Sequence, residues 1–547
     1  MVLAVSGGFR TTVGGLRISA RSPFPLTIAT LATITLWYVN ARRAHSIAAD
    51  LTAAWEACQR HAAIVAIGLA SLGTTATFAT RSAAGADASG YISEAALLSS
   101  GRLFHVDPLA DLVRGHDSFL TSPLGWRPAA DGTQAPTYPP GLPLLFMVPH
   151  AIAGVGGASW VVSICGAIAV IATGLLAVEF AGGVTGLIAA VLLAFTPVFL
   201  YQGIQPMSDV PVTAAWMVCF ALLCRAAPLD TAAGIACALA VLIRPNLAPL
   251  AIVPLLLSRR RIAFAVPVAI AAGVIADLQW IWYGSPLRSG YGGADELFAL
   301  SNIGANASRY FAWLIATAPA LLLAVFGFLR LKSNRAAQGL MAFSLLVVAA
   351  YLVYAVFDDW SYLRFLLPAV AVFAIFAAVA LSAWIDRWPV SIRAVLLFVV
   401  VIAITAHGLA VARAMQTFRL ADHLRRVERV AGFINEDVPP SAVIVAGEQS
   451  GSMRYYTERP IVRWEAASPE ALSVVTTALE QSRRPVYIVL DAWEDGRFRE
   501  KFSSVPAAAL DWPPILDAGT SHRTRLWKLS DRERFLRGEQ LETIRLP

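Results

Sequence analysis

Apolar runs separated by short polar stretches dominate the chain from Ala62 to Ala410. The first half carries Ala62–Thr80, Leu142–Ala153, Ala158–Val178, Leu187–Leu200, Val210–Leu223 and Ala232–Leu257, the last interrupted at Arg244. The second half carries Ile262–Trp280, Tyr310–Leu329, Gly339–Phe357, Leu363–Ile385 and Ala394–Ala410. A crossing helix needs about 20 apolar residues, so the pattern predicts roughly 11 to 13 crossings. One buried core cannot absorb that many. The expected fold is mainly α: a polytopic transmembrane helical bundle (residues 61–410) with a small C-terminal extramembrane α/β domain (residues 411–547). Residues 1–60 form an N-terminal region in which Pro25–Val39 is a short first membrane or interfacial segment.

Two departures from the apolar pattern matter. Arg81–Thr137 is a long polar loop, and a purely structureless loop of that length is unusual in a folded protein. Helical spacing of Tyr91, Ala95 and Leu98 predicts short helices along the membrane surface there. Beyond about Val411 the apolar runs shorten to strand length. "SAVIVAGE" (Ser441–Glu448) and "RPVYIVLDAW" (Arg484–Trp493) read as buried strands, with helices over Arg419–Asn435 and Pro469–Gln481 as crossovers.

Composition agrees with a membrane chain. Of 547 residues, 57% are hydrophobic and 14% charged, against about 25% charged in soluble domains. The formal net charge of +7 sits largely in short loops such as "SRRR" (Ser258–Arg261) and "RLKSNR" (Arg330–Arg335). That is the distribution of cytoplasmic anchoring loops facing anionic lipid, and no nucleic-acid partner is implied. The topology then places Trp282–Arg309, "FDDWSYLR" (Phe357–Arg364) and the C-terminal domain outside. If Tyr138–Ala153 is re-entrant or interfacial and Arg244 splits two short spans, the loops bearing Asp87 and "QPMSDVP" (Gln205–Pro211) face outward together. The five cysteines show no disulfide framework. No phosphate-binding loop, dinucleotide glycine signature or zinc motif is present.

Six constellations carry chemistry. Asp87, Tyr91 and Glu94 fall on a similar face of a helix; such a carboxylate takes a proton from a sugar hydroxyl, holds a divalent metal, or is a solvated loop acid. "YPPGLP" (Tyr138–Pro143) fixes the chain as it returns to the bilayer, which a rigid helix start also explains. In "QGIQPMSDVP", Ser208 reads as a cap of the following helix and Asp209 as an acid at its positive end. Arg244, between apolar runs, is a permanent cation that needs a partner, either a lipid-linked phosphate or a buried acid. "YGSPLRSGYGGADE" (Tyr283–Glu296) adds Arg288 as an anion-binding candidate. "FDDWSYLRFLLP" (Phe357–Pro368) adds Arg364. "GEQSGSMRYYTERP" (Gly447–Pro460) reads as a turn of the last domain that packs onto the membrane site.

Together these residues resemble a known group. The acid-bearing first exterior loop, "YPPG" and "MSDVP" are similar to the polyprenyl-phosphate-dependent membrane glycosyltransferases of the GT-C superfamily. The likeness is to the bacterial protein mannosyltransferase and aminoarabinose transferase-like family, and it covers roughly Ala62–Ala410. The resemblance implies transfer of a hexose or pentose from a polyprenyl-phosphate donor to a glycan, lipid or protein acceptor of the cell envelope. It implies inversion, and location in a bacterial inner membrane with the C-terminal domain periplasmic or exterior. It puts the catalytic role on Asp87, while Tyr91, Glu94, Tyr138, Asp209, Arg244, Arg288 and Arg364 are candidates for substrate binding. Asp87 is followed by Ala88 and Ser89, where relatives carry a denser acidic or histidine pattern, so a divalent cation as cofactor stays open. A transporter or flippase of a lipid-linked or anionic substrate is the alternative, and a noncatalytic membrane scaffold is a third reading.

Overall fold

The structure, a computed structural model, describes residues 9–13, 16–20, 55–56, 61–293, 297–520 and 522–546. The expected segment Pro25–Val39 lies outside them. Phe9–Val13 and Leu16–Ala20 pair as an antiparallel hairpin, β1 and β2.

The membrane part is helical. In chain order its helices are α1 (His61–Phe78), α2 (Ala86–Ser99), α3 (Gly141–Ala194), α4 (Pro197–Gly203), α5 (Asp209–Leu223), α6 (Asp230–Ile243), α7 (Ile252–Leu257) and α8 (Arg261–Tyr283). Then follow α9 (Ile303–Thr317), α10 (Ala324–Leu331), α11 (Arg335–Leu352), α12 (Leu367–Ile385) and α13 (Val390–Ala414). Among the described residues six helices are long and apolar enough to cross a membrane, seven if the bent pair Leu300–Thr317 and Pro319–Leu331 is one span. The other segments of the expected 11 to 13 survive as helical arms or as the shorter apolar helices Asp209–Leu223, Asp230–Ile243 and Pro245–Leu257. A window over the sequence sees apolar length but not where a helix breaks. Burial separates the layers: 83% of the apolar window in Trp360–Ile385 is buried, against 11% in Val390–Ala414. The first is the bundle's centre, the second a flank left for lipid.

The 54-residue α3 is not one rod. A straight helix of that length would be about 80 Å long, against a hydrocarbon core of about 30 Å. Helical geometry fails at Ala153–Gly154 and again at Ala181–Gly182. The arms fold back on each other there. A Cβ on Gly157 would lie 2.0 Å from the Pro149 carbonyl oxygen, and one on Gly174 would lie 3.0 Å from that of Gly186. The first arm, Gly141–Ile152, is too short to cross. Near its end, His150 hydrogen bonds to Tyr455 of the C-terminal domain at 2.7 Å. This arm falls within Tyr138–Ala153, the segment that the sequence suggested as re-entrant or interfacial.

The 81–137 loop is well ordered. Besides α2 it holds a small antiparallel sheet, β3 (His105–Val106), β5 (Thr133–Pro136) and β4 (Trp126–Pro128), in that order. The C-terminal α/β domain starts with α14 (Leu420–Asp437). Its six-stranded sheet runs β11-β9-β10-β8-β6-β7. The strands are β6 (Val443–Ala446), β7 (Ile461–Arg463), β8 (Val486–Asp491), β9 (Leu516–Ala518), β10 (Thr524–Lys528) and β11 (Ile544–Leu546). β6 pairs in parallel with β7 and β8. The crossovers are α15 (Ser450–Thr457) and α16 (Pro469–Gln481). The two strands read from the sequence are the sheet's fully buried centre. β9 and β11, three residues each, carried too few positions to show a pattern.

The folded-back arms have a direct test. Gly157→Ala forces a methyl onto the Pro149 carbonyl, an overpacking cost of about 1–3 kcal/mol. Gly156→Ala meets nothing within 4 Å and is expected to be harmless. Size-exclusion recovery after heating in detergent compares them, and equal survival of the two variants contradicts the fold-back.

Candidate functional site

The site lies where the long loop, the α5 entry, the α6 break and the 3-10 turn Trp360–Leu366 meet. Helix α2 begins at Ala86, earlier than the spacing of Tyr91, Ala95 and Leu98 indicated, so Asp87 is in its first turn. Asp87 is half-buried. Tyr138 donates to one carboxylate oxygen at 2.7 Å, and Arg364 donates to the other at 2.8 Å. Tyr138 is held by ring contacts: its centroid is 4.6 Å from that of Tyr91, tilted by 40°, and 5.8 Å from that of Tyr291, edge-on. Gly90 is required here, because a Cβ on it would stand 2.1 Å from the Tyr138 ring.

A second ion pair lies deeper. Arg244, which ends α6, pairs with Asp209 in the first turn of α5. Both are buried, Asp209 completely. Arg244 also donates to Ser208 Oγ at 3.3 Å and to the Tyr351 hydroxyl at 3.5 Å. Tyr91 donates its hydroxyl proton to Ser208 Oγ at 3.0 Å. Phe365 links the two pairs, with the Arg364 guanidinium 5.2 Å and the Arg244 guanidinium 5.8 Å from its ring centroid. Burial holds the phenols of Tyr91 and Tyr138 well above their ordinary range, so both remain proton donors.

These contacts bring Asp87, Tyr91, Tyr138, Asp209, Arg244 and Arg364 together, and put the Asp87 loop and the "MSDVP" loop at one end of the bundle. Ser208 departs from its expected role. It occupies the N-cap position but makes no capping bond, because its hydroxyl is committed to Tyr91 and Arg244. Arg288 is not brought in; it is exposed on its loop. Glu94 is one turn beyond Tyr91, 1% exposed, with neither carboxylate oxygen hydrogen bonded. Burial alone pushes its carboxyl well above the ordinary carboxylate range. Asp359 caps the Trp360–Leu366 turn through the Ser361 N–H at 2.9 Å, and Asp358 pairs with Arg309. Sequence reasoning missed Tyr351, Tyr291 and Phe365. Phe365 was adjacent to a candidate arginine, but a phenylalanine in an apolar run carries no mark of such a task.

The C-terminal domain closes over the site through Gly447–Tyr456. Burial, then the nearby Glu465, Asp491 and Asp87, push the Glu448 carboxyl up to about 7. Among the described residues no group of three or more His, Cys, Asp or Glu gathers as a metal site.

No protein-family model matches the sequence, and no curated protein matches it. Solved structures do match the fold. ArnT from Cupriavidus metallidurans bound to undecaprenyl phosphate superposes with a TM-score of 0.56 at 11% identity, covering 85% of this chain and 98% of that one. Its apo state gives 0.51 at 13%, covering 85% and 97%. The archaeal oligosaccharyltransferase AglB from Archaeoglobus fulgidus, in complex with an inhibitory peptide and a dolichol-phosphate, gives 0.50 at 12%, covering 79% and 70%. At these identities the likeness shows the fold. The chain is a multi-pass membrane protein with the fold of these solved structures and a small extramembrane α/β domain.

Two expectations follow from the buried charges. Glu94→Gln removes a carboxylate that burial disfavours. A carboxyl whose folded pKa is raised contributes stability below its unfolded pKa of about 4.5, and loses it as pH rises. Glu94→Gln is therefore expected to raise the melting temperature at pH 8, by roughly 1–3 kcal/mol of stability, and to leave it unchanged near pH 4. A shift equal at both pH values contradicts this. Arg244→Met alone strands Asp209, a loss of about 3–5 kcal/mol. Combining it with Asp209→Leu should recover folded protein, measured as monodisperse yield. A double variant as poorly folded as the single one would deny the pair.

Proposed function

We propose that the protein transfers a sugar from a polyprenyl-phosphate donor to an acceptor hydroxyl or amine of the bacterial cell envelope, at the outer face of the inner membrane. The observation that carries this is the half-buried Asp87 held between Arg364 and Tyr138, beside a buried second arginine. The arrangement offers a carboxylate and guanidinium cations at one end of an apolar bundle. That is what an acceptor proton and a lipid-borne phosphate need. The neighbours ArnT, solved with undecaprenyl phosphate, and AglB, solved with dolichol-phosphate, support the same donor class.

In the proposed step the acceptor oxygen or nitrogen attacks the anomeric carbon from the face opposite the phosphate. A new bond forms to the sugar and the bond from that carbon to the phosphate oxygen breaks. The electron pair leaves with the phosphate, the configuration inverts, and the acceptor proton passes to Asp87. Arg364 has two roles in this scheme. Without donor it is neutralised by Asp87. An arriving phosphate competes for the guanidinium, which matches phosphate as a fork, and so frees Asp87 for the acceptor. Arg364 then stabilises charge growing on the leaving phosphate. Arg244, fixed by Asp209, is the second guanidinium beside the site. Tyr138 and Tyr91 orient Asp87 and Ser208. Exposed Arg288, on the loop whose Tyr291 reaches Tyr138, meets an anionic substrate as it approaches.

The test is transfer of radiolabelled sugar by purified protein in lipid, across a panel of undecaprenyl-phosphate sugars. Asp87→Asn is expected to lower kcat by about 1,000-fold or more with donor binding retained, the scale of losing both a general base and its alignment. Arg364→Ala is expected to raise the donor KM as well. Transfer unaffected by Asp87→Asn sinks the assignment. Donor crossing the bilayer without any transfer would replace it with the transporter reading.

A further inference from the structure

Helix α2 carries Asp87 but has no cap of its own. Its N-cap is Gly85, at φ 80° and ψ 166° with no side-chain capping bond. The first amides of a helix have no partner within it and need one elsewhere. Here the partners come from the C-terminal domain, more than 360 residues away in sequence. Gln449 Oε1 accepts from the Gly85 N–H at 3.4 Å. The Glu448 carboxyl lies against the same turn, with Oε1 3.9 Å from where a Cβ on Gly85 would stand, beside the Ala86 N–H. One step earlier, Tyr456 Oη accepts from the Ala83 N–H at 2.8 Å.

These groups are themselves fixed. Gln449 is 3% exposed. Its amide nitrogen donates to Asp491 Oδ2 at 2.9 Å, which decides which end faces α2. Arg426 donates to the same oxygen at 3.1 Å. Ser452 donates to Gln449 Oε1 at 3.1 Å. Tyr456 donates to Glu428 at 3.2 Å. The fit behind them is tight: a Cβ on Gly451 would lie 2.4 Å from the Leu124 carbonyl oxygen and 2.5 Å from Ser89 Oγ. Ser450 accepts from the Leu124 N–H at 3.0 Å. A chain of buried hydrogen bonds thus runs from the sheet of the C-terminal domain to the first turn of the helix that bears Asp87.

We propose that Glu448 and Gln449 are positioning residues for Asp87, capping α2 from another domain and so setting the Asp87 carboxylate between Tyr138 and Arg364. A negative Glu448 also complements the positive end of α2. The proposal rests on the reading of Asp87 given above, and the experiment separates the two.

Glu448→Ala, Gln449→Leu and Glu448→Gln are compared with the wild-type full chain in lipid nanodiscs. Hydrogen exchange is followed on peptides covering residues 83–90, alongside sugar transfer from the same undecaprenyl-phosphate panel. Losing a cap opens the first turn, so Glu448→Ala and Gln449→Leu are expected to exchange there about fivefold faster. Their kcat should fall while the donor KM stays within about twofold, because alignment rather than phosphate binding is lost. Glu448→Gln keeps an acceptor and is expected to restore slow exchange and most of kcat. Glu448 is half-buried and stands outside the Gln449–Asp491 hydrogen-bond chain, so its variants answer the question even if Gln449→Leu unfolds the domain. Unchanged exchange at residues 83–90 in Glu448→Ala overturns the cap, whatever transfer shows. Faster exchange in an enzyme that never transfers sugar upholds the cap and sinks the reading of Asp87.

Discussion

Charge at the end of an apolar bundle must be paired, and that constraint organises the structure. An unpaired arginine beside the hydrocarbon is costly, so Arg244 and Arg364 each face an aspartate, with Phe365 between them. Each pair joins distant parts of the chain. Asp209 and Arg244 tie the start of α5 to the end of α6. Asp87 and Arg364 tie the exterior loop to the central helical segment. The break at Arg244 has a local cause in Pro245, which disfavours helical backbone in the residue before it, and it leaves Arg244 paired with Asp209. Neither pair is strong evidence of stability, because desolvation offsets much of the attraction. What the pairs supply is register, fixing which loops meet.

The two pairs are not equivalent, and the difference suits the proposed chemistry. Arg244 and Asp209 are shut away, their side chains 10% and 1% exposed, whereas those of Arg364 and Asp87 are 14% and 31% exposed. The deeper pair is fixed charge. The outer one can exchange partners. Under the proposed function, a phosphate that opens this ion pair would make release of the carboxylate depend on arrival of the lipid-linked donor. The hydroxyls around it, from Tyr138, Tyr91 and Ser208, are already committed to one another. Under the proposed function, the donor would meet a site already arranged.

Much of this was legible in the chain. Apolar length located the helices but overcounted the crossings, 11 to 13 expected against six or seven among the described residues. Asp87 and Tyr91 share a face because four residues separate them on a helix. Arg244 was marked by being a cation among apolar residues, although its partner was not. What stayed hidden depended on contacts between distant segments. Ser208 read as a cap, and Tyr91, 117 residues earlier, claims its hydroxyl instead. Glu94 sits on the right helical face but is sealed without a partner, which burial decides and spacing does not. Arg288 has the right chemistry but lies exposed outside the cluster. The doubled-back arms of α3 depend on two short breaks that an apolar window averages away.

The C-terminal domain then takes on a physical task as well as a place in the fold. Helix α2 has 14 residues, near the lower limit for a helix that holds itself in water. It starts on a glycine in a backbone conformation that other residues rarely adopt, and its first amides have no local acceptor. A carboxylate on such a turn would wander by more than alignment tolerates, since misplacement by about 1 Å can cost a hundredfold in rate. Rigidity has to come from outside the helix. The small sheet β3-β5-β4 supports it from one side through the Gly90 and Gly125 backbones, a Cβ on Gly125 falling 2.7 Å from the Gly90 Cα. The Gly447–Tyr456 segment supports the other. A bundle built for lipid cannot itself offer polar acceptors to these amides without burying them unpaired elsewhere. An extramembrane domain with a buried hydrogen-bond chain of its own can.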